Sequence, residues 1–375
     1  MPRLLALAAV AAVALTGCGS SGTSGNLLSM NSASCGGTWA LSSPGWHTFE
    51  LYNANTVGGE IDLINPATGG VYSELDDFGP GTTTPMGLDL GSGKYAFRCL
   101  FDDATPITGP TVTVAGHAKG ASAIVPITFN DLVGPDKAYQ AYVDTGLKVL
   151  AGQTATLASD VQGGNLTAAR RDWLTAHLQY ETLGAAYDAF GNFDDEIDGR
   201  ADALGETNPK WTGFYRLEYG LWHGQSAAEL KPYATGLAAN VNALLASWPS
   251  TQVPLIDIAL RVHEILENAL EFQLTGHDDY GSGTTLATVQ ANITGTRELL
   301  SLLHPLLVTR YTGLPLVYTW LDRLQTLVDA EHLPNGTWVP VSGLTQPQQQ
   351  ELDAACSQVL QELSPIPTIA EPRNT

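Results

Sequence analysis

Two periods of apolar side chains divide the chain. In the region spanning about residues 36–127, short runs alternate polar with apolar: His47-Thr48-Phe49-Glu50-Leu51-Tyr52, Glu60-Ile61-Asp62-Leu63-Ile64, Tyr95-Ala96-Phe97-Arg98-Cys99-Leu100 and Thr111-Val112-Thr113-Val114. Asn65-Pro66, Gly79-Pro80-Gly81 and Gly91-Ser92-Gly93 punctuate them. A period of two broken by turn residues predicts a β-sandwich. Near Gly134-Pro135 the spacing of apolar residues lengthens to three and four, which predicts helices over about 135–159, 166–190, 212–223, 226–248, 254–274, 285–306, 310–329 and 346–363. Ser226-x-x-Glu229 and Thr345-x-x-Gln348, the latter with Pro347 in the first turn, are capping boxes that support two of the starts. The expected architecture is a β-sandwich over 35–130 followed by an all-α helical bundle over 131–375.

The N-terminus carries a third pattern, an apolar run over 4–15 preceded by the single charge of Arg3. It is too short to span a bilayer and reads as the core of a signal peptide over 1–17. Leu15-Thr16-Gly17-Cys18 then fits a lipobox, in which small residues admit the peptidase and the Cys18 sulfur takes a diacylglycerol. Residues 18–34, opening with a run of Gly, Ser and Thr, read as a flexible tether. An extracytoplasmic protein held to the membrane by lipid is expected. A length of 375 residues with 44% hydrophobic content accommodates two cores. The net charge of −21 becomes −22 once Arg3 is removed with the leader. Such a surface repels nucleic acid and favours cationic ligands, although solubility alone also calls for charge.

Three cysteines remain besides Cys18. Cys35 and Cys99 share the β region and are expected to pair in an oxidising compartment, leaving Cys356 over. The Tyr-x-Phe-x-Cys run also invites a blue-copper reading, which needs two His, a Cys and usually a Met. Residues 100–114 after Cys99 contain neither His nor Met, and His47 and His117 read as surface residues, so the disulfide role is favoured.

The candidate chemistry lies on the helices. His177 and Glu181 are one helical turn apart on a face with Trp173, Tyr180, Gly184 and Tyr187, opposite Arg171, Thr175 and Gln179. Tyr215, Glu218 and Trp222 share a face of the next segment. On the segment over 254–274, Ile256, Leu260, His263, Glu267, Leu270 and Leu274 fall on one stripe, read as core, while Asp257, Arg261, Glu264, Asn268 and Glu271 form a polar stripe read as solvent-facing. An ionised Glu inside a core must be protonated, paired or bound to a cation. The expectation is one cavity lined by His177, Glu181, Glu218, His263 and Glu267, with Tyr215 at its edge. Oxygen-rich donors with some imidazole suit iron better than copper(I) or a structural zinc. The bland alternative is a set of ion pairs satisfied inside the bundle. His263-Glu264-Ile265-Leu266-Glu267 falls short of the metallopeptidase motif H-E-x-x-H because Glu267 stands where its second His belongs.

Ala176-His177-Leu178-Gln179-Tyr180-Glu181, Phe193-Asp194-Asp195-Glu196-Ile197-Asp198-Gly199-Arg200, Thr212-Gly213-Phe214-Tyr215-Arg216-Leu217-Glu218-Tyr219-Gly220-Leu221-Trp222 and His263-Glu264-Ile265-Leu266-Glu267-Asn268 resemble EfeO-type iron-uptake lipoproteins. The resemblance covers nearly the whole chain and implies a cupredoxin-like domain before an imelysin-like bundle. It further implies capture of iron outside the membrane and delivery to an iron permease, with a haem peroxidase as third component. The chain departs from that pattern at Tyr215, where many members carry the His of an H-x-x-E motif, so that only Glu218 carries over. Asp194, Asp198 and Arg200 read as groups supporting a metal site or as ion pairs within a loop. His223, His277, His304 and His332 read as surface or cap residues.

Three functions compete at this point: a non-enzymatic iron-binding transport component, a metallopeptidase-like hydrolase, and a polysaccharide-binding or adhesive envelope protein whose bundle is only structural. The lipobox gives an immediate test. Cys18→Ser is expected to leave the protein unprocessed or released, whereas the unmutated chain partitions into detergent; a soluble, non-acylated unmutated chain would count against the anchor.

Overall fold

The computed structural model describes residues 27–202 and 204–373; the leader and Cys18 lie outside them. The chain forms two compact units that divide between Ala123 and Ile124.

Among the described residues the first unit has nine strands: β1 (Leu27–Asn31), β2 (Ser34–Cys35), β3 (Gly45–Asn53), β4 (Gly59–Ile64), β5 (Val71–Leu75), β6 (Thr83–Leu90), β7 (Gly93–Phe101), β8 (Ile107–Thr108) and β9 (Val112–Val114). One sheet has the order β2-β1-β3-β6, the other β5-β4-β7-β8, with β9 also on β7. Alternation turns Phe49 and Leu51 of β3 inward from one sheet and Ile61, Leu63, Phe97 and Cys99 inward from the other, so that one apolar core lies between them. β1 begins inside the stretch read as a tether. Leu28 and Met30 are buried there, and β1 pairs in parallel with β3, Leu28 opposite Leu51; two inward apolar residues are enough to convert the end of a flexible segment into sheet. Cys35 and Cys99 are joined, with Cα atoms 5.7 Å apart, which ties β2 to β7. His47 holds the Ser43 carbonyl at 2.8 Å.

The second unit is helical: α1 (Phe129–Gln162), α2 (Leu166–Glu181), α3 (Tyr187–Phe190), α4 (Asn192–Asp198), α5 (Gly213–Trp222), α6 (Ala227–Ser247), α7 (Asp257–Asn268), α8 (Thr285–Leu307), α9 (Leu314–Ala330), α10 (Gln346–Leu363) and α11 (Pro365–Ala370). Thr128 and Asp131 cap α1 reciprocally, so it starts ahead of Pro135 and runs through it. Ser226 with Glu229 and Thr345 with Gln348 cap α6 and α10 in the same way. The segment expected over 166–190 breaks after Glu181: a single 3-10 turn at Gly184–Ala186 redirects the chain into α3 and α4. That turn brings Asp198, at the end of α4, back onto α2. α7 runs without interruption into a π turn, Ala269–Gln273. Among the described residues no helix is long and apolar enough to cross a membrane.

The Cys35–Cys99 link closes a loop of 64 residues in sequence separation. Replacing both cysteines by alanine is expected to destabilise the β unit by about 4 kcal/mol. Chemical denaturation followed by fluorescence, with a non-reduced digest of the parent as control, checks this.

Candidate metal centre

Gly213 opens α5 at φ +86°, and a Cβ there would stand 2.3 Å from the Ile197 carbonyl oxygen. Only glycine lets α5 begin this close to the end of α4. Trp173 Nε1 donates to the Phe214 carbonyl at 2.8 Å and fixes α2 against α5. Three elements therefore meet around His177, which stacks on Trp173 and lies edge-on to Tyr215.

His177 Nε2 is 3.1 Å from Glu181 Oε1 and 3.2 Å from Asp198 Oδ1. His177 is 2% exposed and Glu181 4%. One atom from each of His177, Glu181 and Asp198 falls within 4.8 Å of the others, close enough to share an ion. Neither Nε2 nor Asp198 Oδ1 has a well-aligned hydrogen-bond partner, so the trio is held by charge rather than by satisfied hydrogen bonds. Burial alone would lower the His177 pKa, but Asp198 and then Glu181 raise it well above its ordinary value. Burial pushes the Asp198 carboxyl up against the opposing pull of His177. Two carboxylates and an imidazole at this spacing, with no aligned donors between them, have the donor set of a hard-cation site.

A cleft of about 250 Å³ opens beside the trio. Its lining includes Glu181, Asp188, Asp194, Asp198 and Tyr215 together with Arg200 and Arg261. Tyr180 donates to Asp194 Oδ1 at 2.5 Å, and burial raises Asp194 to about 6. With its amide turned so that the nitrogen faces the carboxylate, Asn292 donates to Glu181 Oε2 at 2.9 Å.

Tyr215 donates to Asp278 Oδ2 at 2.9 Å, and burial lifts its phenol well above the ordinary value. Glu218 is buried near His177, where its Oε1 accepts the backbone N–H groups of Tyr280 at 3.2 Å and Ser282 at 2.9 Å; burial pushes it to about 8. Glu218 thus neighbours the trio without joining it. Asp278, which no helical periodicity marks because it lies in a loop, is buried with Gln273 Nε2 and Tyr215 as donors.

His263 and Glu267 do not enter the cavity. They contact each other at 3.6 Å with side chains 25% and 58% exposed. The core stripe of α7 is Ile258, Ala259, Val262, Ile265 and Leu266, while Ile256 and Leu260 are exposed. The helix is rotated from the expected face, so that Arg261 and Asn268, read as solvent-facing, line the cleft. Asp198, read as a supporting group, is in direct contact with His177, and Arg200 lies in the cleft lining. His223, His277, His304 and His332 are exposed. In the β unit, Glu60, Asp62 and Glu74 form a second acidic grouping, but Arg98 donates Nε and Nη2 to Asp62 Oδ2 at 3.0 and 2.6 Å.

The helical unit carries an inward His–carboxylate trio, and its residues 136–315 match the imelysin family, also labelled peptidase M75. The helical unit is an imelysin-like domain. The chain is similar to the iron uptake system component EfeO of Yersinia pestis, at 28% identity over 283 residues, covering 75% of this chain and 73% of that one. It is likewise similar to EfeO of Escherichia coli K12, at 27% identity over 239 residues, 63% of this chain and 62% of that one. A solved structure described as an iron-regulated protein A precursor, from Parabacteroides distasonis, aligns with a TM-score of 0.48 at 13% identity, over 64% of this chain and 96% of that one.

The buried groups fix a pH dependence. Asp194 and Glu218 titrate higher in the folded chain than the ordinary 3.8 and 4.5, and His177 higher than 6.5. A folded pKa above the unfolded one gives stability present at the acid side and lost as pH rises through the folded value. The metal-free helical unit is expected to lose on the order of a few kcal/mol between about pH 5 and pH 8. Glu218→Gln, whose amide oxygen still accepts both backbone N–H groups, should flatten the profile. Thermal melts across that range check both statements.

Proposed function

We propose that this chain is a non-enzymatic, extracytoplasmic iron-binding lipoprotein that captures iron and passes it to a membrane permease, within an uptake system that also includes a haem peroxidase. The observation that carries the reading is the trio of His177, Glu181 and Asp198 at the cleft. Its donors are those that iron accepts, and relatives of the chain are named as iron uptake components. A cation would sit among Nε2 and the two carboxylates in place of the His177 proton, and would relieve the repulsion between Glu181 and Asp198. Tyr215 and Asp194 border the same space and orient the cargo or its water. The cupredoxin-like reading of the β unit and lipid anchorage at Cys18 belong to the same proposal. The family label peptidase finds little support in the motif that suggested it, since His263 and Glu267 stand outside the cleft.

Iron is cargo here, so its effect is read as binding. His177→Ala, Glu181→Gln and Asp198→Asn are each expected to weaken iron binding by about tenfold or more, the loss of one charge-assisted contact. His263→Ala and Glu267→Gln should leave it unchanged. Added metal should raise the melting temperature of the parent, most at the alkaline end, and not that of His177→Ala. Equilibrium dialysis with elemental analysis measures the binding. Retained affinity in all three trio variants would move the site elsewhere.

A further inference from the structure

The cleft is much larger than an ion and is lined by side chains of both charges. Its volume of about 250 Å³ compares with ~30 Å³ for one water in the liquid. Glu181, Asp188, Asp194 and Asp198 supply the acidic lining, and Arg200 and Arg261 add two guanidinium groups, with Asn268 as an amide donor. A guanidinium sharing a partly desolvated cleft with a metal cation repels it. Asp188 and Glu264 offset much of the Arg261 charge and Asp202 part of that of Arg200, yet both guanidinium groups bring N–H donors to the cleft that a bare cation cannot use and an anion can.

Both arginines are held in place. Arg261 reaches Glu264 at 2.7 Å through Nη1 and Asp188 through Nη2, and its Nε is buried with no hydrogen-bond partner. Arg200 lies over the Phe272 ring at 3.5 Å, with Nε on Asp202 at 3.2 Å. Stacking on an aromatic face presents a guanidinium edge-on, the geometry in which it accepts a carboxylate through paired N–H groups.

We infer that the cleft takes the cation as a small polycarboxylate chelate of the citrate type, with the metal on the acidic side chains and the chelator's outer carboxylates on Arg200 and Arg261. This rests on the iron-capture reading and specifies the form of the cargo. The binding exchanges ligands without redox change: Glu181, Asp198 and His177 replace waters or one chelator arm on the metal, and the His177 proton goes to solvent. A trivalent metal with its chelator then presents a positive centre to the carboxylates and a negative rim to the guanidinium groups.

The test uses the full mature chain and radiolabelled citrate with gallium(III), a redox-inert ion of ferric charge and size. After rapid gel filtration, metal and label are expected to be retained together in equal amounts, with no label retained when metal is omitted. Arg200→Gln and Arg261→Gln should lose the label and weaken chelate binding by about tenfold or more. Both should bind ferrous ion in a non-coordinating buffer as tightly as the parent, or more tightly. Arg200→Gln keeps the test sound should Arg261→Gln disturb the fold through Asp188 and Glu264. Metal retained without label, or label retained by both variants, would overturn the inference and leave iron capture standing. Failure of the unmutated chain to hold metal in either form would instead remove the reading on which the inference rests, and the inference with it.

Discussion

An imidazole clamped between two carboxylates in a nearly dry interior is the constraint around which the helical unit is arranged. His177 cannot give one N–H to both Glu181 and Asp198, and the acidic pair cannot discharge itself without a positive partner. Everything nearby answers to this. Gly213 lets α5 close against α4, Trp173 fixes α5 to α2, and the turn at Gly184–Ala186 returns Asp198 to a helix it left seventeen residues earlier in sequence. The apolar core that surrounds the trio is what makes the charge arrangement consequential, since the same three groups in water would interact weakly.

The division into a β region and a helical region was legible because a change of period is a long-range signal that no single substitution erases. His177 and Glu181 were legible for the same reason, one turn apart on a face rich in aromatics. α7 was not, although the information was present. Ile258, Val262, Ile265 and Ala269 form a wholly apolar stripe at helical spacing, beside the mixed stripe that holds His263 and Glu267. Counting hydrophobicity alone favours the first. The mixed stripe reads as core because most of its members are apolar, yet two of them, Ile256 and Leu260, are among the exposed residues.

Asp198 and Asp278 mark a different limit. Asp198 stands at the end of a short helix reached through two sharp changes of direction, and Asp278 lies in a loop with no periodicity. Their meeting with His177 and Tyr215 depends on backbone geometry at glycines and on tertiary packing, which spacing along the chain does not encode. Arg261 shows the converse: read as solvent-facing, it lines the cleft, together with Arg200, read as a supporting or ion-paired group.

The parallel pairing of β1 with β3 has a mechanical consequence. A pull along the axis of β1 would load the ladder from Leu27–Glu50 to Met30–Asn53 in shear, all its bonds together, rather than peel it one bond at a time. Should β1 yield, the extension reaches only Cys35, where the covalent link to Cys99 transfers the load to the central strand of the other sheet. The β unit thereby has a covalent stop at Cys35, directly behind its first strand.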